Sequence, residues 1–230
     1  MLFQVYRLLE VRGDQLTKIC LECMDELNLN AVILIGDQCP DLKELSLVHC
    51  YFQMQPEDPL TVEKLIKDRK ANASKSLDTS SSGNSFLTET TKRIRSTSTS
   101  TDHKSLPLPF SKLETLVLDI NTPTHLPIVE YILSFTDSSL KSLTLDQFFS
   151  DFGESFVTKT LFEWNSMQNL TALHIGKAAN LSLVVANVLL EKCPQLRKLG
   201  RLSSWRLITS KELSSFQQEI RLRNYDIEIY

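Results

Sequence analysis

The sequence predicts an α/β fold of stacked repeats, on three observations. A nine-residue frame with an aliphatic residue at positions one and four occurs six times, five of them with a third at position six. The frames start at 16, 42, 113, 140, 170 and 196, so four of the five intervals are 26 to 30 residues and one is 71. The frame has the alternation of a short strand, and the stretches between frames have the spacing of helices.

The copies run "LTKICLECM", "LKELSLVHC", "LETLVLDIN", "LKSLTLDQF", "LTALHIGKA" and "LRKLGRLSS", the last with Arg201 where an aliphatic residue is expected. Positions four and six alternate across a strand and point inward, while positions one and nine turn the chain around them. No unit buries its apolar side alone, so neighbours must stack. A period in the upper twenties is that of leucine-rich repeats. The expected fold is therefore an α/β leucine-rich-repeat solenoid, a ribonuclease-inhibitor-like horseshoe arc with parallel strands on the concave face and helices on the convex face.

Four segments follow. Residues 1–53 hold a helix ending at Gly13 and the first repeats. Residues 54–107 are an insertion, since the interval of 71 exceeds one period by roughly 45. Residues 108–204 resume the repeats. Residues 205–230 lose the frame but keep a helix-like stretch (210–222) and a strand-like one (226–230), as an end cap requires. Between frames, "LPIVEYILSF" (126–135) and "NLSLVVANVLLEKC" (180–193) read as outer helices, the second with Asn180 as its cap. Pro40 and Pro194 follow Cys39 and Cys193, where each helix should stop.

"CPDLKELSLVHC" (39–50) and "CPQLRKL" (193–199) resemble the cysteine-containing repeats of F-box/leucine-rich-repeat proteins. The resemblance covers residues 16–53 and 108–204. It implies that a Cys-Pro-x-Leu step joins outer helix to inner strand and that a cysteine replaces the asparagine closing the strand. It also implies a substrate-recognition role in a ubiquitin ligase, with a Skp-type adaptor and a cullin as partners if an F-box lies upstream. "LPIVEYILSF" opens as an F-box would, but it lies between two strands, where an outer helix is required.

Within the insertion, "EDPLTVEKLIKDRKA" (57–71) fits one helix, and the Ser/Thr-rich sequence from 72 onward is too poor in large apolar groups to be expected to order. Residues 64–104 carry nine Lys or Arg against four Asp or Glu, a net of +5; with −3 for the whole chain, −8 is left on the rest. The segment is either a solvated loop or a regulated one. Arg93 and Arg95 precede Ser98 at spacings that basophilic kinases favour, so Ser96 and Ser98 are candidate phosphorylation sites, where phosphate would cancel the positive charge.

No catalytic constellation stands out. Cys20 and Cys23 form one Cys-x-x-Cys without the second pair that a structural zinc site uses. His49, His103, His125 and His174 are scattered, and "LIGDQCP" lacks the Lys-Ser/Thr of a phosphate loop. The "KRIR" run has no interleaved aromatic residues of the kind single-stranded nucleic acid stacks on. We expect no enzyme activity, cofactor, metal or nucleic-acid partner. Five cysteines in no regular framework, no long apolar run and a charged N-terminus indicate a cytoplasmic or nuclear protein without a membrane span.

A solenoid's concave face is built from the strand residues that do not enter the core, at positions three, five and seven. Lys18, Glu22, Glu44, Ser46, Thr115, Asp119, Ser142, Thr144, Asp146 and His174 are therefore the candidate contacts for a protein partner. Asp119 and Asp146 fall at one position in adjacent units, an acidic column suited to a basic element, the basic insertion included.

Overall fold

The structure, a computed structural model, describes residues 2–25, 27–53, 58–78, 108–119, 126–136, 138–146, 153–176, 180–223 and 226–230. Among these, seven strands form one parallel sheet: β1 (Lys18–Glu22), β3 (Glu44–Val48), β5 (Thr115–Asp119), β6 (Ser142–Asp146), β7 (Ala172–Ile175), β8 (Lys198–Gly200) and β9 (Glu228–Ile229). Their order in the sheet is their order in the sequence. A two-stranded parallel ladder, β2 (Leu27–Asn28) with β4 (Phe52–Gln53), lies beyond the ends of β1 and β3.

The register is the leucine frame itself. Leu45 pairs with Leu116, Leu116 with Leu143, Leu143 with Leu173, and Leu173 with Leu199. Each of these side chains is buried, whereas the residues between them are mostly half-buried or exposed. Alternation of this kind means that one face of the sheet packs on the core and the other is open. The fold is thus α/β, with a parallel sheet covered on one face.

Two repeated hydrogen bonds set each unit on its predecessor. In five units the amide of the first leucine donates to the carbonyl three residues earlier, Leu16 to Gly13, Leu42 to Cys39, Leu113 to Phe110, Leu170 to Met167 and Leu196 to Cys193, all at 3.0–3.2 Å, and in the sixth Leu140 donates four residues back, to Thr136. The carbonyl of the second residue in a unit then accepts two consecutive amides of the next. Thr17 accepts from Lys43 and Glu44, Lys43 from Glu114 and Thr115, and so on through Thr171 with Arg197 and Lys198. Cys39, Phe110, Met167 and Cys193 occupy the same buried turn. The two cysteines precede proline and leave the helical region (φ −117°, ψ 69° and φ −111°, ψ 81°), since the proline ring disfavours it, while Phe110 and Met167 turn left-handed (φ 55° and 57°).

One helix, α1 (Leu2–Arg12), precedes β1, and the others lie between strands: α2 (Leu29–Gln38), α3 (Asp58–Asp78), α4 (Leu126–Leu133), a π turn (Phe156–Thr160) running into α5 (Leu161–Trp164), α6 (Leu183–Lys192) and α7 (Ser210–Leu222). Both Cys-Pro helices stop where expected, at Gln38 and Lys192. The cap of α6 is Ser182, whose hydroxyl accepts from the Val184 amide, and not Asn180, which instead bridges Gly153. "LPIVEYIL" is a buried repeat helix, with Pro127, Ile128, Val129, Tyr131, Ile132 and Leu133 in the core.

The expectation that order ends near residue 71 is corrected. α3 runs on to Asp78 and serves as the outer helix of its own unit, so β3 pairs directly with β5. Val62 and Ile66, one turn apart, are buried. Arg69 forks onto the Asp37 carboxylate of α2, with Nη2 to Oδ2 at 2.8 Å, and the Lys70 ammonium lies 5.9 Å from the Phe135 ring centre. The remainder of the 54–107 segment, including Ser96 and Ser98, lies outside the described residues.

Beyond β8, Trp205 is buried and donates its indole N–H to the Ile175 carbonyl at 2.8 Å. Thr209 and Glu212 form a capping box at the start of α7, which buries Phe216 and Ile220 before β9 closes the sheet. Among the described residues, no helix is long and apolar enough to cross a membrane.

Candidate functional site

The open face of the sheet carries three columns of side chains. The first runs Lys18, Glu44, Thr115, Ser142, Ala172, Lys198 and Glu228 across neighbouring strands. The second runs Cys20, Ser46, Val117, Thr144, His174 and Gly200. In the third, Glu22 pairs with Val48 and Asp119 with Asp146. Nine of the ten expected contact residues reach this face exposed or half-buried. The exception is Asp119.

Asp119 is only 3% exposed. Its Oδ2 accepts the His49 backbone N–H at 3.2 Å and lies 2.7 Å from the His49 Nδ1. His49 follows β3 in a left-handed conformation (φ 52°), so the buried carboxylate fixes the turn by which the chain leaves that strand. Asp146, in the next unit, pairs with Arg201. The expected acidic column is therefore corrected: the two carboxylates are adjacent, but one is buried in a turn and the other is bridged by a guanidinium. Lys18 likewise pairs with Glu44 at 2.7 Å, and that hydrogen bond holds the ammonium pKa above its usual value.

Two glycines seat polar pairs that span three strands. A Cβ on Gly200 would lie 2.9 Å from Cε2 of Tyr230 and nearer still to Nδ1 of His174. The bare strand lets the Tyr230 hydroxyl reach 3.0 Å from that nitrogen. Burial, and then the charges of Arg201 and Lys198, lower the His174 pKa below its usual value, which favours the neutral ring. A Cβ on Gly176 would lie 2.7 Å from Nη1 of Arg201 and closer to Asp146 Oδ1, so the Asp146–Arg201 pair crosses the sheet over that glycine. Arg201 takes a left-handed backbone (φ 69°) directly after β8.

Sequence reasoning marked Arg201 only as a break in the frame and did not place Gly200, Tyr230 or Lys198 on this face. Counting on from Leu196 puts Gly200 at position five, a signal that was present. Tyr230 gave none, because its place depends on β9 pairing with β8.

Between the paired groups, Ser46, Val117, Ser142, Thr144 and Ala172 make a half-buried band of small or β-branched side chains. Such a band offers hydroxyls and room for a protruding surface. Cys20 and Cys23 are exposed free thiols at the β1 edge, and among the described residues no group of three or more His, Cys, Asp or Glu is placed to hold a metal. No protein-family model matches the chain, and no curated protein matches it.

Proposed function

We propose that this chain is a leucine-rich-repeat solenoid of the F-box/leucine-rich-repeat kind, and that its open sheet face recognises a protein without catalysing a reaction. The observation that carries the reading is the in-register stack of strands, whose open face joins a band of small hydroxyl and aliphatic residues to paired charges. Extended sheets of this type accept protruding partners. Because the charges on the face are largely paired, recognition rests on shape and on hydroxyls such as those of Ser46, Ser142 and Thr144.

The ligase part of the proposal, presentation of that partner to a cullin-type ubiquitin ligase in the cytoplasm or nucleus, rests on the Cys-Pro-x-Leu resemblance alone. A second reading is an adaptor or inhibitor acting without a ligase. It is favoured by one observation: the F-box-like opening at Leu126 is spent as a buried repeat helix. Purification of the endogenous protein with an epitope tag inserted between residues 79 and 107 separates the two. Recovery of a Skp-type adaptor and a cullin supports the ligase reading, and their absence among recovered partners supports the adaptor.

A further inference from the structure

Six short side chains form an uncharged island within the open face. Thr115, Ser142 and Ala172 lie side by side on β5, β6 and β7, and Ser46, Val117 and Thr144 on β3, β5 and β6. All six are half-buried. The island lies in the middle of the sheet, with further strands on both sides. With strands about 4.8 Å apart and same-face residues about 6.6 Å apart along each strand, it measures roughly 14 Å by 7 Å.

Its border is polar, and the charges there are already engaged. In the same columns Thr115 adjoins Glu44, Ala172 adjoins Lys198 and Thr144 adjoins His174, while Asp119 and Asp146 follow Val117 and Thr144 along their strands. Glu44 pairs with Lys18 at 2.7 Å, Lys198 with Glu228 at 3.7 Å, Asp146 with Arg201, and buried Asp119 with His49. Glu44, His174, Lys198 and Arg201 are long where the island is short, so the island is the floor of a shallow depression, open toward Cys20 and Val48. Among the described residues, the hydroxyls of Ser46, Thr115, Ser142 and Thr144 take part in no hydrogen bond.

That chemistry selects what can enter. A charged group would shed its water and find each neighbouring counter-charge committed elsewhere. A large flat ring fills the depression, resting on Val117, Ala172 and the methyl groups of Thr115 and Thr144. A neutral polar tip on the ring exchanges hydrogen bonds with the hydroxyls, which both donate and accept. We propose that the protein partner enters this floor with an uncharged segment led by an aromatic side chain with a polar tip, that of tyrosine. The inference rests on the open face being the recognition surface and adds the class of residue it takes. Phosphate on that tyrosine would set a dianion beside the paired carboxylates of Glu44 and Asp146, so the modified segment is rejected.

The test is selection of a phage-displayed random peptide library on the 230-residue chain. Each recovered peptide is then measured on that chain, on Ser46→Arg and on Thr144→Arg, all three first shown to melt alike. The expected peptides share one aromatic residue among uncharged neighbours and lose about tenfold or more in affinity on both variants. Their affinity changes by less than about twofold between about 50 and 500 mM NaCl. Phosphotyrosine or glutamate in place of the aromatic residue weakens them about tenfold or more. A charged consensus that depends on Ser46 and Thr144 and weakens with salt overturns this inference and leaves open-face recognition standing. A selection that yields no binder does the same. Peptides that bind both variants as well as the wild type remove the recognition reading, and this inference with it.

Discussion

The Tyr230 hydroxyl meets the imidazole of His174 at 3.0 Å across Gly200, so residues 56 positions apart share a contact that exists only because β8 lacks a side chain between them. Gly200→Ala would put a methyl group where the two rings now lie. The pair should separate, with a loss of about 1–3 kcal/mol in chemical denaturation. Unchanged stability would show that the rings can lie elsewhere at no cost.

Acid should weaken the fold through the same histidine. The folded-state pKa of His174 lies below its ordinary value of 6.5, because burial and then Arg201 and Lys198 disfavour the charged ring. Between that lowered value and 6.5 the unfolded chain binds more protons than the folded one, so the His174 contribution rises with pH through the window and is lost as pH falls. His174→Gln should flatten this part of the stability profile, just below pH 6.5. An identical slope in the variant would exclude His174 as its source.

The five cysteines should divide into two reactive and three silent thiols. Cys20 and Cys23 are exposed, whereas Cys39, Cys50 and Cys193 are buried. Burial pushes Cys39 up to about 11 and Cys193 to about 12, and raises Cys50, whose thiol donates to the Leu21 carbonyl at 3.4 Å. At pH 8 the Cys39 thiolate fraction is on the order of one in a thousand. A disulfide reagent should therefore titrate two thiols quickly in the native protein and five after denaturation. Rapid reaction of a third would show that a turn cysteine opens to solvent.

If α3 is a repeat helix, its inner face must contribute to stability. Ile66→Ala should cost about 2–4 kcal/mol by leaving a cavity. Arg69→Met, which strips the Asp37 carboxylate of its fork, should cost about 1 kcal/mol. Two neutral results would detach α3 from the core.

Much of this architecture was legible because the leucine spacing has a single physical use. Leu45, Leu116, Leu143, Leu173 and Leu199 could be aligned by counting, and the sheet aligns them in the same register. α3 was read short because the sequence from 72 onward is too poor in large apolar groups to be expected to order, whereas burial of Val62 and Ile66 holds the helix against the core. Asn180 and Ser182 are both capping residue types, and only the direction of the Val184 amide decides between them. The candidate site was legible as positions but not as pairings. Asp119 and Asp146 share a frame position, yet His49 reaches one from 70 residues away and Arg201 reaches the other from 55. A strand pattern says which way a side chain points and is silent about which distant residue arrives to meet it.

If the open face, and not the helix layer, recognises a protein, the deciding measurement compares partners recovered from cells by the wild-type chain, by Ser46→Arg/Thr144→Arg on the open face, and by Asn187→Arg on the exposed side of α6. All three chains are first shown to melt alike. Partners lost from the open-face variant and retained by the α6 variant are the predicted result. Partners retained by the open-face variant, or lost equally from both, would contradict the claim.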